Sequence, residues 1–398
     1  MMDPTLLRQY KGNKDRVTSL HFSPNGDQLA SGSADKSVMV WHLNEEKRAY
    51  RFEGHTDIVL DVRFAPSGNV MASASRDMTV RLWVVSTKGE SKSFKAHTAA
   101  IRSLDFSPDG QHLATASDDK TIKVWSVQRQ RFTCLLAEHT NWVHSVRYSR
   151  DGRLLVSCGD DKTVKVWDAA SKKCVCSYLE SGSAGRCAEF HPTGNYVAAA
   201  GTDAVLRLYD VRGQKLLQEY AAHEACVNDL SFHSSGDFVA TASSDMSARI
   251  FDLLQGRLIL TLGSCGKPAN AVCFSSDDGK RFAVGGDDNN VTLWRSNYGS
   301  PDKMEQHVKC EKLTSDRNIP NGSTNGEVKD NTAVNIGGPP AVETWPPENA
   351  SENDTVQSLR STVDLLTAQL ALVTRTMSLM EERLSVVEDK LRNNNHVI

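Results

Sequence analysis

An aromatic residue returns at a fixed interval along the first three quarters of this 398-residue chain: Trp41, Trp83, Trp125, Trp167, Tyr209, Phe251 and Trp294. The interval is 42 residues five times and 43 once. An aspartate stands six residues before each, at Asp35, Asp77, Asp119, Asp161, Asp203, Asp245 and Asp288. Such a register demands one supersecondary unit per repeat, with neighbouring units stacked to share a core.

The copy from His97 to Trp125, HTAAIRSLDFSPDGQHLATASDDKTIKVW, shows what the unit is. Alternating apolar residues mark three strands, through Ile101, Leu104 and Phe106, then Leu113, Ala114 and Ala116, then Ile122, Val124 and Trp125. SPDG at 107–110 and SDDK at 117–120 are turn sequences. The run Arg131–Leu136 supplies a fourth strand. A four-stranded meander cannot cover its own two faces, whereas seven arranged around an axis can. The reading is all-β, a seven-bladed β-propeller over residues 1–297. The last repeat stops at its third strand, near Trp294–Arg295, and Leu6–Tyr10 reads as a spare fourth strand. The chain start is therefore expected to complete the seventh blade.

Repeats of this kind carry the signature of the WD40 family, and the resemblance implies a hydrogen-bonded set within each blade. In that family a His before the first strand, a Ser or Thr on the second, the turn Asp and the Trp indole are linked. Three repeats hold all four: His55, Ser73, Asp77 and Trp83; His97, Thr115, Asp119 and Trp125; His139, Ser157, Asp161 and Trp167. Repeat six has His223, Thr241 and Asp245 with Phe251. Repeat five keeps Asp203 beside Ser181, Ala199 and Tyr209. Repeat seven has Cys265 and Val284, and repeat one has Asn13 in place of the His. Where the His is absent the hydroxyl is absent too in two cases of three, as expected when an unpaired buried member is costly. A Ser-His-Asp set also suggests a hydrolase. Here it recurs blade after blade and serves a Trp, with no GxSxG turn before a helix, so no enzyme is expected.

In WD40 proteins a frequent partner contact lies five residues after the repeat His. That ring reads Thr18, Leu60, Arg102, His144, Arg186, Asn228 and Asn270. Arg102, His144 and Arg186 form a basic sector beside Trp142, which suits an acidic peptide.

Net charge is −3, so no general basic field points to nucleic acid. The nine cysteines are scattered; only Cys174 and Cys176 lie close, with no second pair at zinc spacing. No metal or other cofactor is expected. No apolar run of signal-peptide or membrane-spanning type occurs, and the reading is a soluble intracellular protein in a reducing compartment.

Residues 298–353 lose all hydrophobic period and read as a disordered polar linker, spanning about 40 Å as a flexible coil. Trp345 beside Pro346-Pro347 within it reads as an incidental exposed residue, with a short docking motif as the alternative. From 354 to 392 apolar residues return at alternating spacings of three and four: Val356, Leu359, Val363, Leu366, Leu370, Val373, Met377, Met380, Leu384, Val387 and Leu391. That is a coiled-coil seam on an α-helix about 55 Å long. Leu365, Leu372, Leu379 and Val386 widen the stripe, which suggests more than two helices or a flanking partner helix. Residues 393–398 read as a disordered tail.

A propeller, a polar linker and a terminal coiled coil together resemble the proteome of centriole protein one family. The wording that carries the resemblance is RAYRFEGHTD at 48–57, KGESKSFKAHTA at 88–99, HTNWVHSVRYSRDGRLLVS at 139–157 and EERLSVVEDKL at 381–391. The resemblance implies a scaffold of centrioles and ciliary basal bodies, in the cytoplasmic cytoskeleton. Its partners would be centriolar proteins, tubulin or microtubules, and its roles centriole assembly, stability and ciliogenesis. The coil would give self-association; neither nucleic acid nor membrane is an expected partner. The alternative is a recognition subunit, a ubiquitin-ligase adaptor or chromatin reader, using the same mouth. An F-box-like module before the propeller would support it, but only about a dozen residues precede the repeats.

Overall fold

In the template repeat the alternation becomes four antiparallel strands, Ile101–Phe106, His112–Ser117, Ile122–Ser126 and Arg131–Leu136, hydrogen-bonded in chain order. A computed structural model describes residues 4–43, 47–85, 91–179, 183–263, 266–276 and 279–296. Among them are seven such four-stranded sheets. The expected linker, coiled coil and tail, with every seam residue from Val356 to Leu391, lie outside the described residues, as do Ser181, Cys265 and Trp345.

Ring closure follows the sequence expectation. Thr5–Lys11 pairs antiparallel with Asn290–Arg295, placing Tyr10 opposite Val291, and completes the seventh sheet. Side chains reinforce the junction with blade one: Asn270 Nδ2 donates to the Val17 carbonyl (3.0 Å) and Ser276 to the Ser23 carbonyl (3.4 Å).

Burial peaks at the second strand of each blade and falls off toward the outermost. The second strands, such as His112–Ser117, are buried at five of six positions, because neighbouring blades cover both faces. The outermost strands, such as Arg131–Leu136, are mostly exposed. The repeat aromatics fill the spaces between blades. Trp83 and Trp167 are almost wholly buried, and each removes roughly 200 Å² from water, an upper-bound gain of about 5 kcal/mol before ordering entropy.

One packing rule runs around the ring. At five junctions an aromatic on the outermost strand of one blade packs on the repeat aromatic of the next: Tyr10 on Trp41 (5.2 Å between ring centroids), Phe52 on Trp83 (5.5 Å), Phe94 on Trp125 (4.9 Å), Tyr178 on Tyr209 (4.5 Å) and Tyr220 on Phe251 (5.7 Å). At the two remaining junctions Leu136 and Leu262 take the place of the ring.

A meander turns alternately at its two ends. The upper face here is the one carrying the connections between blades and the turn aspartates. The lower face carries the SPDG-type turns, where Gly110 adopts φ 69°, and the turns leading to the outermost strands.

Candidate functional site: the upper mouth and the networks behind it

The first strand of each blade lines the central channel, and the connection before it brings the repeat His over the second strand. In blade two Trp83 Nε1 donates to Ser73 Oγ (2.8 Å), Ser73 Oγ donates to His55 Nε2 (2.7 Å), and His55 Nδ1 donates to Asp77 Oδ2 (2.9 Å). Blade three repeats this through Trp125, Thr115, His97 and Asp119 (3.0, 2.8 and 2.8 Å). Blade four does so through Trp167, Ser157, His139 and Asp161 (2.8, 2.7 and 2.7 Å). Burial opposes each carboxylate, but hydrogen bonds from the imidazole and the following Thr outweigh it. Asp77 and Asp119 are held far below the ordinary carboxylate range, and Asp161 at about 2. The hydroxyls of Ser73, Thr115 and Ser157 are wholly buried, so no substrate carbonyl reaches them.

The departures are informative. In blade six His223 keeps its bonds to Thr241 (2.7 Å) and Asp245 (2.8 Å) with no indole above them. In blade one Asn13 Oδ1 accepts from Ser31 (3.3 Å), which accepts from Trp41 (3.0 Å). In blade five the guanidinium of Arg207 replaces the imidazole, meeting Asp203 at 2.6 Å and Glu219 at 2.8 Å. In blade seven Trp294 donates instead to Thr292 (3.1 Å). The aspartate survives in all seven blades because it has a second task. Its Oδ1 accepts the N–H two residues on, as Thr79, Val205 and Asn290 illustrate, at 2.9, 3.3 and 3.2 Å. That bond holds a turn whose next residue is non-glycine yet left-handed, with φ 62–70° in every blade.

All seven ring residues line one opening of about 80 Å³ at the upper end of the channel. Their chemistry differs from the sequence expectation. Thr18, Asn228 and Asn270 are ties between blades, donating to the carbonyls of Val59 (2.6 Å), Ala269 (2.8 Å) and Val17 (3.0 Å). The basic sector is largely neutralised from within. Arg102 forms a two-point bond with Asp118 (2.8 and 2.9 Å) and lies 5.6 Å from the Trp142 ring centre. His144 is buried and bonded to Asp160 (2.7 Å); burial, with Arg186 and Arg102 nearby, pushes its pKa below the ordinary histidine value, so it is neutral at neutral pH. Blade five has Thr202 where blades three and four have Asp118 and Asp160, and Arg186 has no ion pair among the described residues. Leu60, Trp142 (45% exposed) and Arg186 are what the mouth offers a partner.

Sequence reasoning missed the channel wall below this ring. First strands of neighbouring blades do not pair, so side chains of one satisfy the edge N–H groups of the next. Asp105 accepts from Tyr148 N (2.8 Å), Glu189 from Phe232 N (3.3 Å), Asp229 from Val272 N (3.1 Å) and His21 from Phe64 N (3.0 Å). Arg147 crosses the channel to Asp61 (3.1 Å). Burial raises Glu189 to about 7 and Asp229 to about 6, against the pull of Arg63 and Arg147. The available signal was a polar residue recurring near every 42 positions inside otherwise apolar strands.

Among the described residues no cluster of His, Cys, Asp or Glu could hold a metal ion. Cys174 and Cys176 lie on the outermost strand Lys173–Leu179 of blade four, where a register shift turns them to opposite faces: Cys174 packs in the junction with blade three and Cys176 in the junction with blade five.

The family model "WD domain, G-beta repeat" matches seven segments, 4–42, 46–84, 89–126, 130–168, 173–210, 214–252 and 256–295. Similar proteins include POC1 centriolar protein homolog A of Danio rerio, 61% identical over 49 residues, 12% of each chain. POC1 centriolar protein homolog B of Danio rerio is 54% identical over 52 residues, 13% of this chain and 11% of its own. POC1 centriolar protein homolog A of Bos taurus is 57% identical over 49 residues, 12% of each. The chain thus aligns with about an eighth of the length of these relatives. Seven matched repeats forming seven closed blades place this chain in the WD40 family, and the resemblance to the POC1 centriolar proteins is carried by these relatives.

Proposed function

We propose that this chain is a centriole-associated, non-enzymatic WD40 scaffold. The observation that carries the reading is the likeness to POC1 centriolar proteins, at 54–61% identity over 49–52 residues in the relatives named above. The propeller docks on a component of the centriole wall, either a centriolar protein or tubulin. Its upper mouth offers Leu60, Trp142 and Arg186, with Trp142 and Arg186 as the anchors, while Arg102, His144 and Asn228 shape the rim, held by Asp118, Asp160 and the Ala269 carbonyl. The buried Ser-His-Asp sets support a structural rather than a hydrolytic role.

Residues 354–392 self-associate, so that avidity turns modest single-site binding into stable retention. Roles at basal bodies and in ciliogenesis follow from the same reading.

The test is imaging of tagged full-length protein and a 1–353 truncation in dividing, ciliating cells. Paired puncta on tubulin-stained centrioles, turning over faster in the truncation, are expected. A diffuse signal for the full-length protein overturns the centriolar reading and returns the mouth to the adaptor alternative.

A further inference from the structure

We propose that the lower face of blades three and four is a docking groove for an acidic peptide bearing one bulky apolar side chain. The groove exists because two junction positions are small. Just past each third strand one residue bonds back, through its N–H, to the carbonyl of the residue closing the SPDG-type turn. Leu43, Val85, Val127, Val211 and Leu253 do so in five blades, and Ala169 does so on Arg153 at 2.9 Å in blade four. Those larger side chains pack into the junction with the preceding blade. The alanine leaves its share empty. Across from it blade three presents Cys134, and Leu136 stands where five other junctions have an aromatic ring. The result is an open cavity of about 500 Å³ between Val124, Leu136 and Leu155 on its floor and Cys134 and Ala169 on its walls. That volume suits an aromatic side chain.

Charge selects the rest of the occupant. Arg129 and Arg131 of blade three, and Arg150, Arg153, Lys172 and Lys173 of blade four, are all exposed at the lower end. The carboxylates among them are Asp109, Asp151 and Asp168, each accepting a turn N–H, from Gln111 (2.9 Å), Arg153 (3.1 Å) and Ala170 (3.0 Å), and Asp151 also forms an exposed, solvent-screened ion pair with the Arg153 guanidinium (3.4 Å). Six cations against three carboxylates is a local excess of three in a chain of net charge −3. A second open groove of about 680 Å³ beside it, lined by Arg150, Arg153 and Arg212, extends the cationic track toward blade five. A phosphate backbone would meet the cations and leave the apolar floor wet; a peptide of Glu or Asp around one aromatic residue satisfies both. The upper mouth serves the same ligand less well, since Asp118 and Asp160 hold Arg102 and His144 in part-buried pairs at 2.8 and 2.7 Å, whereas the one pair in the groove, Arg153 with Asp151 at 3.4 Å, is open to solvent.

The test uses the full-length chain and fluorescence anisotropy with a dye-labelled dodecapeptide of Glu and Gly carrying one central Trp, and its Trp→Ala counterpart. The Trp peptide is expected to bind at least about tenfold tighter than the Ala peptide. The Arg153→Glu/Lys172→Glu double variant weakens both by about tenfold or more, and raised salt does the same. Ala169→Leu fills the cavity and brings the Trp peptide to the level of the Ala peptide. Arg186→Glu, on the opposite face, changes neither. Should Ala169→Leu fail to fold, the exposed charge-reversal pair decides. Equal binding of the two peptides, loss of binding in Arg186→Glu but not in the double variant, or tighter binding of an oligonucleotide or a phosphatidylserine vesicle would each overturn the proposal. Because it is a binding measurement in solution, its failure leaves the centriolar reading standing, and the reverse holds.

Discussion

Blades four and five stand side by side, share one backbone plan and solve the same problem with different chemistry. Blade four carries Trp167, Ser157, His139 and Asp161 in one hydrogen-bonded chain. Blade five has Tyr209, Ala199 and Asp203, and a guanidinium from its own third strand meets the carboxylate. On the channel side Arg147 of blade four corresponds to Glu189 of blade five, and on the mouth Asp160 corresponds to Thr202. The difference teaches that the hydroxyl and the imidazole of a buried network leave together unless another group takes the vacant place, as Asn13 does for Ser31 in blade one; blade six lacks only the indole. Alanine at 199 removes the hydroxyl that would otherwise face neither an indole nor an imidazole. The aspartate stays because its other oxygen holds the turn, a task independent of the network.

The largest effect expected from breaking this contrast is His139→Ala. It strands Ser157 and Asp161 in the buried interior, and the native state should lose about 3 kcal/mol, read as a lowered midpoint in chemical denaturation. The reverse experiment in blade five is Ala199→Ser, which buries a hydroxyl with no indole to receive. A loss of about 2 kcal/mol is expected. Adding Tyr209→Trp to that variant should recover part of it, because the indole then donates to the new serine; a double-mutant cycle with no coupling would disprove that link.

Trp167→Phe turns blade four into a likeness of blade six, where His223, Thr241 and Asp245 persist under Phe251. About 1–2 kcal/mol should be lost, for one hydrogen bond and a small void.

The last contrast is in pH slopes. Glu189 binds its proton more tightly in the folded chain, at about 7 against an ordinary 4.5. The folded state therefore holds more protons between those values, and stability contributed by this group falls as pH rises from about 4.5 to about 7. Burial is the main cause, followed by Arg63 and Arg147, which oppose it, and Asp229, which adds to it. Glu189→Gln should flatten denaturation midpoints across that window. Asp161 has the opposite sign: its pKa falls from 3.8 to about 2, so its stabilisation is complete above 3.8 and disappears as pH falls through 2. Asp203, lowered less, should show a weaker acid limb.

Much of this was legible before any coordinates. The period, the turn aspartates and the apolar alternation place every strand of the template repeat, and the spare segment at Leu6–Tyr10 finds its partner in Asn290–Arg295. These are local or repeating signals, set by side-chain type and backbone pleat, and each needs only its own stretch of chain. The ring of seven mouth positions was legible too, but not its electrostatics. That Arg102 and His144 are already bonded depends on Asp118 and Asp160, which sit sixteen residues away and become neighbours only when the sheet folds.

By itself, then, the sequence determined the number of blades, the strand order, the closure and which repeats hold a full network, because each of these is repeated seven times or follows from what is missing at one end. Only the tertiary structure decided where charge is free and where space is left. The lower-face groove needs Cys134 from one blade and Ala169 from the next to be small together, and the channel carboxylates rise in pKa because seven first strands exclude water around one axis. Burial and cross-blade contact belong to pairs of distant residues, and no single repeat carries them.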